Sequence, residues 1–183
     1  MGGPVRALVV CDLINDFVTG ALANPRAESI IPKVQVLLQG ARADRDGWLV
    51  AYVNDAHLPE DVELTVWGEH AMAGTPGAQV IPDVAAVQGE HELSKRVYSV
   101  FHETGLDPLL RYEGIREVVL VGMLTNICIQ HSSADAFYRG YSVTVPEDAV
   151  EALSQEEQDS ALAYLRRMYA VRTPTAERVF EAT

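Results

Sequence analysis

Asp12, Lys95 and Cys128 each stand just past a short run of strand-forming residues. Asp12 ends Ala7-Leu8-Val9-Val10-Cys11, Lys95 follows Glu92-Leu93-Ser94, and Cys128 comes six residues after Val118-Val119-Leu120-Val121-Gly122. In an open parallel α/β sheet the carboxyl ends of the strands line one crevice, and ligands bind there. A carboxylate, an ammonium and a thiol delivered to that edge make a nucleophilic site: the acid takes a proton, the thiol attacks, and the cation steadies negative charge. Cys128 falls where a strand turns into a helix. The helix's positive end and free N–H groups favour thiolate there and offer donors to an oxyanion. Lys95 is expected to lower the thiol pKa further. Plain structural readings stand beside these. A free cysteine is commonly just buried, an Asp after a strand commonly caps a turn, and Lys95-Arg96 can be a solvated basic pair. Asp16 is available as the turn cap, which leaves Asp12 free to act as a base. The position six after Cys128 is Ala134, not an arginine able to cradle phosphate, which disfavours a cysteine phosphatase.

A second constellation lies in one loop. Asp55-Ala56-His57 follows the run Trp48–Asn54, and Glu63 and His70 come later, so four candidate ligands fall within sixteen residues. One or two carboxylates with two imidazoles suit zinc or another borderline divalent ion. Trp67, three residues before His70, can wall the site; the alternative is two surface histidines on a polar loop. His91, His102 and His131 lack such company and read as structural or exposed.

The elements that must position these residues alternate. Strands are expected at Arg6–Leu13, Trp48–Asn54, Glu92–Ser94, Glu117–Gly122, Tyr141–Pro146 and a short sixth at Ala170–Arg172. Continuous apolar runs such as Val118–Val121 suit strands buried on both faces, as in parallel sheets. Helices are expected over about Ala27–Ala43, Asp107–Tyr112, Asn126–Arg139 and Gln155–Met168. The last opens on Ser154-Gln155-Glu156-Glu157, a capping-box pattern. Asp55–Val84, punctuated by Pro59, Gly68, Gly74, Pro76, Gly77 and Pro82, reads as a long irregular excursion, and such loops in compact domains are commonly functional. The whole predicts one domain over residues 1–183, an α/β fold with a three-layer, doubly wound, six-stranded parallel sheet.

Composition narrows the partners. The chain has 183 residues, 48 % of them hydrophobic, and a net charge of −12. That charge repels a polyanion, so no nucleic-acid partner is expected. No apolar stretch reaches membrane-spanning length, and the opening Met1-Gly2-Gly3-Pro4-Val5-Arg6 shows no signal-peptide pattern; a cytoplasmic protein with no membrane partner is the expectation. The two cysteines fit a reducing compartment, with Cys11 read as a small buried hydrophobe.

At these residues the chain resembles the isochorismatase-like cysteine hydrolases, and among them the nicotinamidases. The carriers are Val9-Val10-Cys11-Asp12-Leu13-Ile14-Asn15-Asp16-Phe17; Asp55-Ala56-His57; His70 with Gly74-Thr75-Pro76-Gly77; Lys95-Arg96-Val97-Tyr98-Ser99-Val100-Phe101; and Gly122-Met123-Leu124-Thr125-Asn126-Ile127-Cys128. The resemblance spans nearly the whole length. It implies a Rossmann-like six-stranded sheet and a triad of Asp12 as general base, Lys95 as cationic partner and Cys128 as nucleophile. It also implies a cis peptide at Met123–Leu124, an oxyanion hole from the backbone N–H groups of Leu124 and Cys128, and a substrate ring flanked by Phe17 and Trp67. A divalent metal, zinc by the donor set, would sit on Asp55, His57 and His70 with Glu63 as a candidate fourth ligand, where nicotinamidases bind the pyridine nitrogen. The implied reaction is cleavage of a small amide through a thioester, with nicotinamide the first candidate and N-carbamoyl, ureido or short acid amides the alternatives. A homo-oligomer is implied as well; Phe137, Tyr138 and Tyr141 can serve an interface or the core. Two readings of another kind stay open: the metal activates water directly and Cys128 merely packs, or the scaffold is a retired ligand-binding or redox-sensing module.

Overall fold

The computed structural model describes residues 5–181. The leading Met1–Pro4, part of the stretch read for a targeting pattern, lie outside the described residues. Six strands form one sheet: β1 Arg6–Cys11, β2 Trp48–Asp55, β3 His91–Lys95, β4 Glu117–Met123, β5 Ser142–Thr144 and β6 Val150–Glu151. The order is β3-β2-β1-β4-β5, β6 pairs with β4 beyond the end of β5, and every pairing is parallel. The α-helices are α1 Asn15–Val18, α2 Ile31–Ala43, α3 Leu64–Trp67, α4 Leu106–Tyr112, α5 Gln130–Tyr138 and α6 Gln155–Tyr169.

The central strand β1 explains the three layers. Alternate side chains leave a strand on opposite faces. Ala7, Val9 and Cys11 enter one buried cluster with Leu106 and Leu110 of α4, Ala136 of α5, and Leu162 and Leu165 of α6. Leu8 and Val10 enter the other, with Val34, Leu37 and Leu38 of α2. Both faces are covered, which is why β1 and β4 read as unbroken apolar runs rather than alternating ones.

The register sets the site. Cys11 lies opposite Val53 on one side and Gly122 on the other, and Asp55 lies opposite Lys95. The carboxyl ends of β1, β2, β3 and β4 therefore finish together, and the residues that follow meet over one edge. Gly122 is the tightest point of this arrangement. Its φ is +111°, and a Cβ there would fall 1.9 Å from the Cys11 carbonyl oxygen.

Some boundaries differ from the sequence reading. The sixth strand is Val150–Glu151, not Ala170–Arg172. Ala170 instead closes α6 in a left-handed conformation, and Arg172 makes only an isolated bridge to Thr144. Two residues are too few for any hydrophobic period to show. The strand expected over Tyr141–Pro146 shortens to Ser142–Thr144. The capping box of α6 forms by half: Ser154 Oγ accepts the Glu157 N–H at 3.2 Å, but the Glu157 carboxylate accepts the Ser154 hydroxyl at 2.9 Å rather than turning to the cap's backbone N–H. The helix expected from Asn126 begins as a π-helical stretch over Thr125–Ile129 before α5. Tyr141 is buried, while Phe137 and Tyr138 are exposed. Among the described residues no helix is long and apolar enough to cross a membrane.

Gly122→Ala is expected to destabilise the fold by about 3 kcal/mol or more, since it adds both a clash and a disfavoured φ. Chemical denaturation of the two proteins, read by tryptophan fluorescence, checks this.

Candidate functional site

Lys95 is fully buried at the end of β3, and its ammonium is the hub of the site. Nζ donates to Asp12 Oδ2 at 2.9 Å and to Asp55 Oδ1 at 2.5 Å, and it lies 3.7 Å from Cys128 Sγ. The solvated-pair reading of Lys95-Arg96 thus fails for Lys95: the two side chains part, and Arg96 runs outward to pair with Asp61. Asp12 follows β1 with φ +58°, a left-handed conformation that Asp tolerates better than most residues. Its backbone N–H donates to Asn54 Oδ1 at 2.9 Å and its carboxylate Oδ1 accepts the Asp55 N–H at 2.8 Å, so the end of β2 holds the residue at both backbone and side chain. Cys128 sits in the π-helical stretch after β4, and the Met123–Leu124 peptide just before that stretch is cis. The structure therefore brings Asp12, Lys95 and Cys128 together, from chain positions far apart.

Two features were not expected from the sequence. Cys11 is no inert filler: its thiol donates to Asp12 Oδ2 at 3.2 Å, and the sulfurs of Cys11 and Cys128 and a carboxylate oxygen of Asp12 lie within 4.8 Å of one another. Its position within an apolar run hid this, because the last residue of a strand belongs to both the core and the strand-end crevice. The second is that Asp55, read only as a metal ligand, is also a partner of Lys95.

The electrostatics follow from one ammonium among buried acids. For Lys95, burial pulls the pKa down, but Asp12 and Asp55 outweigh it and hold the group well above its ordinary value, so it stays charged. Burial, then the adjacent Asp55 carboxylate, push Asp12 above the usual carboxylate value against the pull of Lys95. For Asp55 burial acts upward, yet Lys95 and His57 dominate and hold it below its ordinary value. For Cys128 the hydrogen bond with Cys11 pulls downward, as does Lys95, but burial and the two carboxylates leave the thiol above its ordinary value. This corrects the expected low thiol pKa. Lys95 acts in the anticipated direction but is outweighed, so the resting sulfur carries its proton and a base is needed to remove it.

The excursion after β2 folds back on itself. His57 and Met72 form a parallel bridge, with His57 N–H donating to the Ala71 carbonyl and Ala73 N–H to the His57 carbonyl, both at 2.9 Å. Asp16 pins the same turn from a distance, its Oδ2 accepting the Ala71 N–H at 2.7 Å, while its Oδ1 accepts the Ala21 N–H at 3.2 Å, the local capping anticipated for it. One donor atom from each of Asp55, His57, Glu63 and His70 then lies within 4.8 Å of the others, and all four residues are buried. His57 Nδ1 faces Asp61 Oδ2 at 3.1 Å and His70 Nδ1 faces the Gly68 carbonyl at 2.8 Å. The carbonyl can only accept, and Asp61 is an ionised acceptor held far down by Arg96. Each ring thus keeps its proton on Nδ1 and offers Nε2 to the cluster, the usual support for a metal-ligating imidazole. His57 Nε2 is buried with no hydrogen-bond partner. Burial and the neighbouring Asp55 push Glu63 up to about 7. An orphaned imidazole nitrogen beside acids that repel one another is the donor set of a cation, so these residues fit a divalent metal.

A cavity of about 340 Å³ joins the two clusters. Cys128 and Leu124 lie on its wall with Asp55, Glu63 and His70, and Phe17 and Trp67 line it too. Phe17 packs 5.6 Å from the His70 ring, and Trp67 Nε1 donates to the Tyr98 hydroxyl at 3.0 Å. His91, His102 and His131 take no part in either cluster, although His131 stacks on the cavity residue Tyr98.

The isochorismatase-domain model matches residues 6–177. The chain belongs to the isochorismatase family. Its members include amidohydrolases, and as an isochorismatase-family protein this chain is a hydrolase of that kind. It is 29 % identical to the nicotinamidase of Escherichia coli K12, over 93 % of this chain and 94 % of that one. The crystal structure of N-carbamoylsarcosine amidase from Thermoplasma acidophilum superposes with a TM-score of 0.87 and 38 % identity, covering 97 % of this chain and 98 % of that one. The pyrazinamidase of Pyrococcus horikoshii, solved in complex with zinc, gives 0.84 and 28 %, over 94 % and 99 %.

Cys128 is 7 % exposed and opens on the cavity, whereas Cys11 is 0 % exposed. Iodoacetamide is expected to label Cys128 in the native protein and Cys11 only after unfolding. The native labelling rate should still be climbing above the ordinary thiol value of about 8.5, as peptide mass spectrometry across a pH series would read.

Proposed function

We propose that this isochorismatase-family hydrolase cleaves a small primary carboxamide, nicotinamide first, to the acid and ammonia through a thioester on Cys128. The observation that carries this reading is the Lys95 ammonium lying within reach of Asp12, Asp55 and Cys128, just behind the wall of a cavity lined by Phe17, Trp67 and Tyr98. Asp12 takes the Cys128 proton and the sulfur attacks the amide carbon. The backbone N–H groups of Leu124 and Cys128 hold the oxyanion. Asp12 returns its proton to the departing nitrogen, which leaves as ammonia. Asp12 then takes a proton from water, the hydroxide attacks the thioester carbonyl, and the proton goes back to the cysteine sulfur. One carboxyl thus serves both halves, and its raised pKa suits an acid that must also give its proton away. Lys95 keeps its charge throughout and balances the negative charge that moves between Asp12 and the sulfur.

Asp55, His57 and His70 with Glu63 would hold a divalent ion, zinc being well matched to them, and the ion would supply a Lewis-acid anchor for a ring nitrogen. Asp61 and the Gly68 carbonyl keep the two imidazoles turned inward, and Phe17 and Trp67 hold a flat ring between them. A second reading, an N-carbamoyl or ureido amide, is favoured by the 38 % identity to the Thermoplasma amidase. The same triad would serve it.

Ammonia release from nicotinamide, pyrazinamide, ureido and N-carbamoyl amides tests the reading. Nicotinamide is expected to be turned over, and Cys128→Ala to lose about a thousandfold or more in rate. A mass increment of the acyl group on Cys128 in quenched reactions should accompany it; turnover by Cys128→Ala at the native rate would overturn the covalent scheme. Asp61→Asn is expected to weaken zinc binding about 10- to 100-fold, measured by competition with a chromogenic chelator.

A further inference from the structure

The charged residues that line the cavity are all acidic. Asp55 and Glu63 line it, and no lysine, arginine or other cation is among its lining residues. The nearby cations have acidic or polar partners, although Arg26 Nε is buried without a hydrogen-bond partner. Lys95 is held between Asp12 and Asp55. Arg26, two residues from the lining Asn24, donates to Glu151 at 2.9 Å and to Gln155 at 2.8 Å. Arg96 pairs with Asp61. The polar lining groups away from the reactive end are engaged too. Asn24 donates to the Ala152 carbonyl and accepts the Arg26 N–H, and the Trp67 indole donates to Tyr98. Much of the remaining lining is apolar, including Ala21, Leu22, Ala23 and Ile127, with Leu153 just after β6. Leu153 is 45 % exposed. A divalent ion on Asp55 and Glu63 would cancel those two charges and leave no positive surplus.

Resting on the amidase reading above, we propose that this wall selects amides whose non-reacting part is uncharged and apolar, and rejects amides that carry a carboxylate there, with Leu153 as a specificity-determining residue. A substrate carboxylate against half-buried Leu22 and exposed Leu153 would give up part of its water and gain no cation in return, a cost that grows with the share of water lost. The protein's net charge of −12 adds a long-range penalty to the approach of anions. At about 340 Å³ the cavity also has room for more than a single small ring, so an apolar substituent fits alongside the reacting group.

The test uses substrates of matched shape: 3-carbamoylbenzoate against 3-nitrobenzamide, and 3-ureidopropionate against propylurea. The uncharged member of each pair is expected to bind to Cys128→Ala protein, and to be turned over by the native enzyme, about 100-fold better than the acid or more. Leu153→Arg is expected to shrink that ratio at least tenfold by improving the acid, with an unchanged melting temperature showing that the fold survives. An acid that matches or beats its neutral partner in the native protein would overturn the proposal. So would a folded Leu153→Arg protein whose ratio is unchanged. Calorimetric binding to Cys128→Ala reads the preference even if no amide is hydrolysed; that second result would count against the amidase reading alone.

Discussion

The buried ammonium of Lys95 is the constraint on which the rest of the site depends. A single cation with no solvent access is tolerated only because two carboxylates reach it at 2.9 and 2.5 Å. Removing one partner of such a buried group typically costs about 3–5 kcal/mol, because the remaining charge is left without compensation. The backbone is shaped to prevent that. Asp12 turns into a left-handed conformation, Asn54 and the Asp55 N–H grip it, and parallel pairing sets Asp55 directly opposite Lys95. The sheet register is thus a requirement of electrostatics as much as of packing.

With the cation fixed, the other groups acquire their properties from it. Two acids around one ammonium cannot share it equally: Asp55 is held low while Asp12 is left high. A carboxyl with a raised pKa is better suited to shuttle a proton than one fully stabilised as an anion. The thiol beside it stays protonated at rest, and in the proposed mechanism its activation waits for the base to act. The pattern agrees with the division of roles proposed above, in which Lys95 sets the field and Asp12 moves the proton.

Much of this was legible in the chain. Strands that run unbroken through the core announce themselves by composition, and a chemically active residue at the end of each is visible once the strands are drawn. The loop from Asp55 to His70 advertised its ligands by residue type. What was hidden depended on three-dimensional neighbours. Cys11 belongs to an apolar run, so its contact with the carboxyl of the next residue carried no signal. The second partnership of Asp55 comes from pairing between β2 and β3, which no local pattern encodes. The thiol's pKa is a balance of burial against charge, and burial depth is a property of the assembled layers. The sixth strand escaped because Val150–Glu151 is shorter than any repeat that could mark it.

Asp55 is shared property. Its Oδ1 takes the lysine while its Oδ2 lies 3.7 Å from His57 Nε2, on the side of the donor cluster. Whatever draws on the second oxygen withdraws electron density from the first. A cation seated there would slacken the grip of Asp55 on the ammonium and let that ammonium lean toward Asp12. An ion bound there and the proton affinity of Asp12 would meet in one carboxylate, the single side chain that touches both clusters.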